Sequence, residues 1–100
     1  MALKAAFLFV APEAEAQKHR AQVKTPQVEL TVVGVADYAA AVAAAQELKT
    51  QGIGAIELCG GFGSEGVALV QKAVGPEIAV GVVRFDKHPG LGHRSGDELF

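Results

Sequence analysis

The chain has 100 residues, half of them hydrophobic and a fifth charged, with a formal net charge of -2. This composition predicts one folded domain over residues 1–100, and a chain of this length has no room for a second core. Because the charge is slightly negative and no basic cluster is present, nucleic acid is not an expected partner. The single cysteine, Cys59, cannot form an internal disulfide, which predicts a reducing compartment, the cytoplasm.

Four apolar runs recur with a period of 25 residues and begin at Leu3, Val28, Ile53 and Ile78. They are rich in Val, Ile and Phe and alternate poorly, a pattern typical of parallel strands buried on both faces. The first run is too short to span a bilayer, so we expect a buried strand and no membrane association. The expected strands are Leu3 to Val10, Val28 to Val35, Ile53 to Cys59 and Ile78 to Phe85.

The three connections between these runs carry helix signals of unequal strength. After the first run, a proline and two glutamates suit a helix start, but residues 14–24 show no firm apolar stripe. After the second run, Asp37 is a good N-cap, and apolar residues recur at helical spacing as far as Gly52. After the third run, Ser64 can cap a helix that ends at Gly75.

Strands and helices alternating at this spacing predict an α/β domain of four βα-type units with a mainly parallel, four-stranded sheet. Two architectures fit: an open, flavodoxin-like sheet, or half of a (βα)8 barrel that a second chain would close. Residues 85–100 are loop-like and end in the apolar pair Leu99 and Phe100. We expect this C-terminal tail to be extended and to dock on a neighbouring subunit. The high apolar share also favours a homo-oligomer, either a dimer or a higher assembly.

The carboxyl ends of parallel strands, where ligands bind in such folds, carry most of the interesting polar groups. Glu57 interrupts an apolar strand, so either Arg84 or Lys4 pairs with it or it acts as an acid or base. Cys59 lies near a helix start, which favours a reactive thiolate, and His88 can titrate near neutral pH. The catalytic candidates are therefore Glu57, Cys59 and His88. Each has a structural alternative: an ion pair, an inert buried thiol and a solvated surface histidine.

The segment Gly60-Gly61-Phe62-Gly63-Ser64-Glu65-Gly66 exposes backbone amides at an expected helix N-terminus, an arrangement that receives phosphate or carboxylate. It lacks the Walker lysine and the context of a dinucleotide site, so no cofactor is expected. If the third and fourth strands are neighbours, Arg84 and Asp86 converge with the catalytic candidates. The ligand-binding candidates are Gly60, Gly61, Gly63, Ser64, Arg84 and Asp86. No recognised metal-ligand spacing surrounds His88 and His93, so no metal site is expected.

Five segments of the chain have a familiar sequence, residues 4–13, 32–35, 55–63, 81–90 and 95–100. They include Ala55-Ile56-Glu57-Leu58-Cys59-Gly60-Gly61-Phe62-Gly63 and Ser95-Gly96-Asp97-Glu98-Leu99-Phe100. Together these segments resemble a family of small, uncharacterised bacterial proteins of about this length. The resemblance covers essentially the whole chain and implies no activity, because the family has none assigned.

Residues 43–83 are more faintly similar to the second to fourth βα units of barrel aldolases acting on keto-acid phosphates. In those enzymes a glutamate lies in a strand as Glu57 does here. They also use a strand lysine to form a Schiff base, and no strand-end lysine lies beside Glu57. The similarity therefore implies the layout of the chain more than its chemistry.

Two functional hypotheses follow. In the first, the chain binds, and in a stronger form transforms, a small anionic metabolite at the carboxyl edge of its sheet. The glycine loop and Arg84 would then hold the anionic group. In the alternative, the chain is a non-enzymatic assembly or accessory module in which the same residues form an inter-subunit ion network.

Overall fold

All four apolar runs form strands in the computed structural model, which describes residues 2–100. Two helices and a fifth strand complete the domain, so the predicted α/β class is confirmed. In chain order the elements are β1 (Leu3–Val10), β2 (Arg20–Lys24), β3 (Val28–Val35), α1 (Tyr38–Thr50), β4 (Ala55–Leu58), α2 (Ser64–Val74) and β5 (Ala79–Val82). The tail contains two short 3₁₀ turns, Pro89–Leu91 and Gly96–Glu98.

The first connection differs from the expectation, and the prediction of a four-stranded sheet is wrong. Residues 11–19 form turns, and β2 then pairs antiparallel with β3 on the outer edge of the sheet. A helix needs an apolar stripe with which to pack, and this segment has none. Thr25 instead closes a hairpin, because its hydroxyl accepts the Val28 N–H at 2.9 Å. The sheet is therefore mixed, with one antiparallel strand beside four parallel strands.

The strands lie in the order β2-β3-β1-β4-β5. The first strand, β1, is central and pairs in parallel with β3 on one side and β4 on the other. Half of a barrel would need its parallel strands side by side in chain order, so that alternative does not fit. The sheet is open, and its carboxyl edge collects the ends of β1, β3, β4 and β5.

Both helices lie on one face of this sheet, for a topological reason. The connections from β3 to β4 and from β4 to β5 run in the same direction across the sheet. Right-handed crossovers that run in one direction place their helices on the same face. In agreement, α1 packs against α2, and the Lys49 Nζ donates to the Val74 carbonyl oxygen at 2.7 Å. A right-handed helix between β1 and β3 would run the other way and cover the opposite face, but β2 stands in its place.

The opposite face therefore carries no helix, and we call it the open face. The pairing register defines its members, because residues paired across parallel or antiparallel strands point to the same side. Its exposed or half-exposed members include Leu3, Val23, Phe7 and Val32. The open face consists of Leu3, Ala5, Phe7, Phe9, Ala21, Val23, Val28, Leu30, Val32, Gly34, Ala55, Glu57, Ala79 and Gly81.

The core lies between the other face of the sheet and the two helices. The alanine-rich α1 has high helix propensity, and its small side chains let it lie close to the sheet. Asp37 is its N-cap, as predicted, with its Oδ1 accepting the Ala40 N–H at 2.8 Å. At α2, Gly63 holds the N-cap position and Ser64 is the first helical residue, one position from the prediction. The largest fully buried side chains are Leu8, Leu48, Ile56, Leu58, Val33, Val35, Val70 and Val74.

Leu8→Ala is expected to lower the free energy of unfolding by about 3 kcal/mol, because Leu8 is fully buried and its truncation leaves a cavity. Urea unfolding at a fixed protein concentration measures the loss. Leu69→Ala, at a half-exposed position of α2, is the matched control and should cost less than about 1 kcal/mol. Similar losses in the two variants would contradict this position of the core.

Candidate functional site

The tail folds back over the carboxyl edge of the sheet and supplies the cap that α2 lacks. Gly63 has no side chain that can accept a hydrogen bond from the first turn. The Asp97 carboxylate takes this role: its Oδ2 accepts the Glu65 N–H at 3.1 Å, and its Oδ1 accepts the Gly66 N–H at 3.2 Å. The Tyr38 hydroxyl donates to Oδ1 at 2.7 Å. The tail thus packs on its own chain, and its expected docking on a neighbouring subunit stays a prediction.

Two glycines make this contact sterically possible. A β-carbon on Gly63 would overlap the Asp97 carboxylate, and a β-carbon on Gly66 would overlap the Tyr38 ring. The Tyr38 hydroxyl also accepts the Gly63 N–H at 2.9 Å, and the ring stacks on Phe62 at a centroid distance of 5.7 Å. One phenol and one carboxylate therefore join the start of α1, the start of α2 and the tail.

The protonation states of this pair are fixed by its surroundings. Burial alone would raise the pKa of Asp97, but hydrogen bonds from Tyr38 and from backbone amides of α2 together outweigh burial and lower it. Burial and the hydrogen bond to Asp97 raise the pKa of Tyr38 to about 12. The carboxylate is therefore charged and the phenol neutral near pH 7. The backbone amides of Glu65 and Gly66, which lie in the segment expected to receive phosphate or carboxylate, thus already hold an anion from the same chain.

The tail also closes the glycine loop that precedes α2. The Phe85 ring lies over Gly60, so a β-carbon at residue 60 would overlap that ring. Gly96 lies against the carbonyl oxygen of Gly61, and a β-carbon at residue 96 would overlap it. Both loop glycines are buried. Gly60 and Gly61, two of the predicted ligand-binding residues, are therefore covered by the tail.

A cleft of about 170 Å³ lies open at the same edge, between the start of α2 and the end of β5. Four of the six residues predicted to bind a ligand line it. Gly63 and Ser64 form its wall at α2, and Arg84 and Asp86 form its wall after β5. The structure thus brings these four residues together from two separate loops. The other lining residues are Phe62, Val67, Val82, Val83 and Phe85.

Arg84 and Asp86 form an ion pair at the mouth of this cleft. The Arg84 Nε donates to the Asp86 Oδ1 at 2.8 Å. Both side chains are more than two-thirds exposed, at 71% and 73%. Exposed ion pairs contribute little to stability and exchange readily with other partners. The guanidinium is thus an accessible cation beside mainly apolar walls.

The three residues predicted to be catalytic have separate surroundings. Glu57 is exposed on the open face, and within residues 2–100 no basic group lies at ion-pair distance from it. Cys59 is half-buried, and its Sγ accepts the Gly61 N–H at 3.3 Å. His88 caps a 3₁₀ turn, with its Nδ1 accepting the Gly90 N–H at 3.0 Å. In the described part of the chain, no hydrogen bond joins any two of the three.

The expected convergence of Glu57 with Arg84 is not seen, although β4 and β5 are neighbours. Glu57 pairs in register with Gly81 on the open face. Arg84 follows three residues later, and it lines the cleft beside Val67 on the helical side. Lys4, the other proposed partner of Glu57, also points to the helical side, because it alternates in step with the buried core residues of β1.

The sequence reasoning missed the two residues at the centre of this edge, Tyr38 and Asp97. In the sequence, Tyr38 is marked only as one of the apolar positions at helical spacing in α1. Asp97 lies inside a Ser-x-x-Glu pattern, Ser95 to Glu98, which is the signature of a capping box. Both capping-box hydrogen bonds are present. That pattern could have indicated a rigid turn near residue 97, and Phe100 packs beyond it against the Tyr38 ring at 6.2 Å.

The described part of the chain shows neither a cluster of metal-ligating side chains nor a helix suited to a bilayer. Among residues 2–100, no three His, Cys, Asp or Glu side chains gather closely enough to hold a metal ion. In the same residues, neither helix combines the length and the apolar character that crossing a membrane requires.

The fold and this self-capped edge define a small α/β protein with one helical face and one open face. Residues 3–98 match a family of unknown function (DUF6506), and the chain belongs to that family. The resemblance to a small uncharacterised family is thus confirmed, and no further resemblance, to barrel aldolases or others, is shown. No curated protein and no solved structure matches the chain.

Asp97→Asn is expected to lower the free energy of unfolding at pH 7 by about 1–3 kcal/mol, because charge-assisted hydrogen bonds to the first turn of α2 are lost. The pKa of Asp97 is lower in the folded chain than in the unfolded chain. Its stabilisation is therefore fully present above the ordinary carboxyl pKa of about 4 and is lost as the pH falls below it. Urea unfolding between about pH 7 and pH 3 should show a difference that shrinks at acid pH.

Asp86→Asn is the matched control for this experiment, because it removes an exposed carboxylate from the same tail. Its unfolding midpoint should follow that of the wild type at every pH. If Asp97→Asn is as stable as the wild type at neutral pH, or if the difference does not depend on pH, Asp97 is not the cap of α2.

Proposed function

We propose that the protein binds a small anionic metabolite in the cleft at the carboxyl edge of its sheet. The observation that carries this proposal is the meeting of Gly63 and Ser64 with Arg84 and Asp86 around one cleft. The position agrees with the general rule that parallel α/β sheets bind ligands outside the carboxyl ends of their strands. We also place the protein in the cytoplasm, which its single cysteine supports.

The dimensions of the cleft favour a small ligand with an apolar part. Its volume of about 170 Å³ is well below the range typical of sites for drug-sized ligands, about 300–1,000 Å³. Val67 and Val82 contribute apolar walls. Each ligand methylene buried against such walls contributes about 0.8 kcal/mol. A short-chain carboxylate or a small phosphate ester has this combination of size, charge and apolar surface.

Arg84 is the group that would meet the ligand's charge. The amides of α2 are engaged by Asp97, so the anion needs another donor. A guanidinium presents five N–H donors in a planar fork that matches carboxylate and phosphate. Asp86 competes for this fork, because its carboxylate already accepts from the Arg84 Nε. Ligand affinity should therefore depend on Arg84 and be opposed by Asp86.

Titration with acetate, butyrate and inorganic phosphate, followed by NMR, tests this proposal. Butyrate is expected to shift the amide signals of Gly63 and Ser64 and to bind about tenfold more tightly than acetate, because two more methylenes enter the cleft. Arg84→Gln should weaken butyrate binding at least tenfold, since the charged donor is removed. Asp86→Asn should strengthen it severalfold by freeing the guanidinium.

Lys87→Gln is the matched control, because Lys87 is a cation of the same segment that does not line the cleft. This variant should bind butyrate as the wild type does. Equal losses in Arg84→Gln and Lys87→Gln would indicate unspecific charge attraction. If none of the three anions shifts the signals of Gly63 or Ser64 in the wild type, the proposed site is refuted.

A further inference from the structure

The open face has the composition of an interface. Thirteen of its fourteen residues are apolar or glycine, and Glu57 is the single ionisable residue on it. A sheet with one face in water commonly alternates apolar residues on the covered side with polar residues on the solvated side. Here Val23 is 57% exposed and Leu3 is 53% exposed on the side without helices. An apolar patch of this kind marks a surface that another molecule covers.

The charged residues of the strands avoid the open face. Five charged residues occur in the strands: Lys4, Arg20, Lys24, Glu29 and Glu57. The first four point to the helical side, where they lie at the margins of the core. Arg20, for example, is paired with the buried Val33, and Lys24 lies 3.8 Å from Glu29 in an ion pair. Four of the five charged strand residues therefore lie on the helical side of the sheet, and one lies on the open face.

The area of the open face is close to what a specific interface with a second, similar sheet face requires. The five strands contain 8, 5, 8, 4 and 4 residues. At about 3.3 Å per residue and 4.8 Å between strands, their flat projection covers roughly 450 Å². Two such faces in contact remove about twice that area, and side-chain relief increases the accessible area further. The total approaches the lower bound of about 1,200 Å² for specific protein interfaces.

We infer that the open face binds the open face of a second copy of this chain, which makes the protein a two-fold symmetric dimer. This goes beyond the proposed anion site and stands on separate observations. Among the fourteen residues that define the face, Glu57 alone is charged, so no charge pattern there selects a different partner, and an apolar sheet is the matching chemistry. The interface places a second sheet where a crossover helix between β1 and β3 would lie, since that connection contains β2 and no helix.

The relief of the face fits two-fold symmetry. Its bulky half lies on β1 and β3, with Phe7 and Val32 paired in register. Its shallow half lies on β4 and β5, with Ala55 paired to Ala79 and Glu57 paired to Gly81. In an isologous contact, each contact between two residues occurs twice, once in each direction. When the two-fold axis runs along the strands, near the boundary between β1 and β4, the bulky half of each copy faces the shallow half of the other. The bulky half of each copy can therefore fill the shallow half of its partner.

Glu57 is compatible with this arrangement because it lies near the rim. Its Cγ is 3.8 Å from the position of a β-carbon on Gly81, in the edge strand β5. Because β5 is the outermost strand and Gly81 has no side chain, the Glu57 carboxylate can extend sideways past β5 and reach water beyond the contact. A carboxylate enclosed without a partner would oppose association, so this exit matters for the dimer.

Sedimentation equilibrium of the full chain tests the dimer. At micromolar concentration the wild type should show twice the chain mass of 10.3 kDa. Val32→Asp puts a charge into the bulky half and should weaken the dimer at least hundredfold. Since Val32 is half-buried in the monomer, Ala79→Lys at an exposed position of the shallow half serves as the second variant. It should weaken the dimer at least tenfold while the circular dichroism spectrum stays unchanged.

Leu69→Asp is the matched control, because Leu69 is 49% exposed on α2, on the helical side of the molecule. This variant should remain a dimer. The inference is overturned if the wild type keeps the mass of one chain up to about 100 μM, which would place any dissociation constant above that value. It is equally overturned if Leu69→Asp dissociates the particle while Ala79→Lys leaves it intact.

Discussion

The arrangement of the carboxyl edge of this sheet depends on one carboxylate. The Asp97 carboxylate accepts hydrogen bonds from two backbone amides of the first turn of α2 and one from the Tyr38 hydroxyl, at 2.7 Å. This contact crosses 59 residues of sequence and orders the tail over the ends of the strands. Phe85, which lies over the glycine loop, and Arg84, which lies beside α2, are part of the segment that leads into the tail. A ligand at this edge therefore meets a surface that the tail has already shaped.

The cap that Asp97 provides for α2 gives the glycine-rich loop a structural role. Free amides at a helix N-terminus attract an anion, and here that anion is part of the chain. Gly63 and Gly66 serve the close approach of Asp97 and Tyr38, because side chains at either position would overlap them. The glycines are thus explained by packing within the molecule. In the proposed anion site, the donor that meets the ligand is therefore the Arg84 side chain and not these backbone amides.

Local signals in the sequence predicted most of the fold, and contacts distant in sequence account for the rest. The apolar runs located β1, β3, β4 and β5, and the Asp37 cap located the start of α1, because these features depend on neighbouring residues. The strand β2 was missed, since its short alternation around Val23 is weak beside four long apolar runs. The partnership of Tyr38 and Asp97 has no local signature. Four predicted site residues met at one cleft because strand ends in a parallel sheet share an edge.

The open face and the edge capped by the tail both relate to the small size of the chain, which limits how much surface it can bury. A chain of 100 residues buries a modest share of its surface, and a sheet with helices on one face buries less than a sheet covered on both. The tail adds cover at the edge, where Phe85 lies over Gly60 and Gly96 lies against Gly61. Nothing within residues 2–100 adds comparable cover to Leu3, Val23 and the rest of the open face. In the dimer that we infer, a second copy supplies the layer that no crossover helix provides on this face, and the cleft at the carboxyl edge stays free.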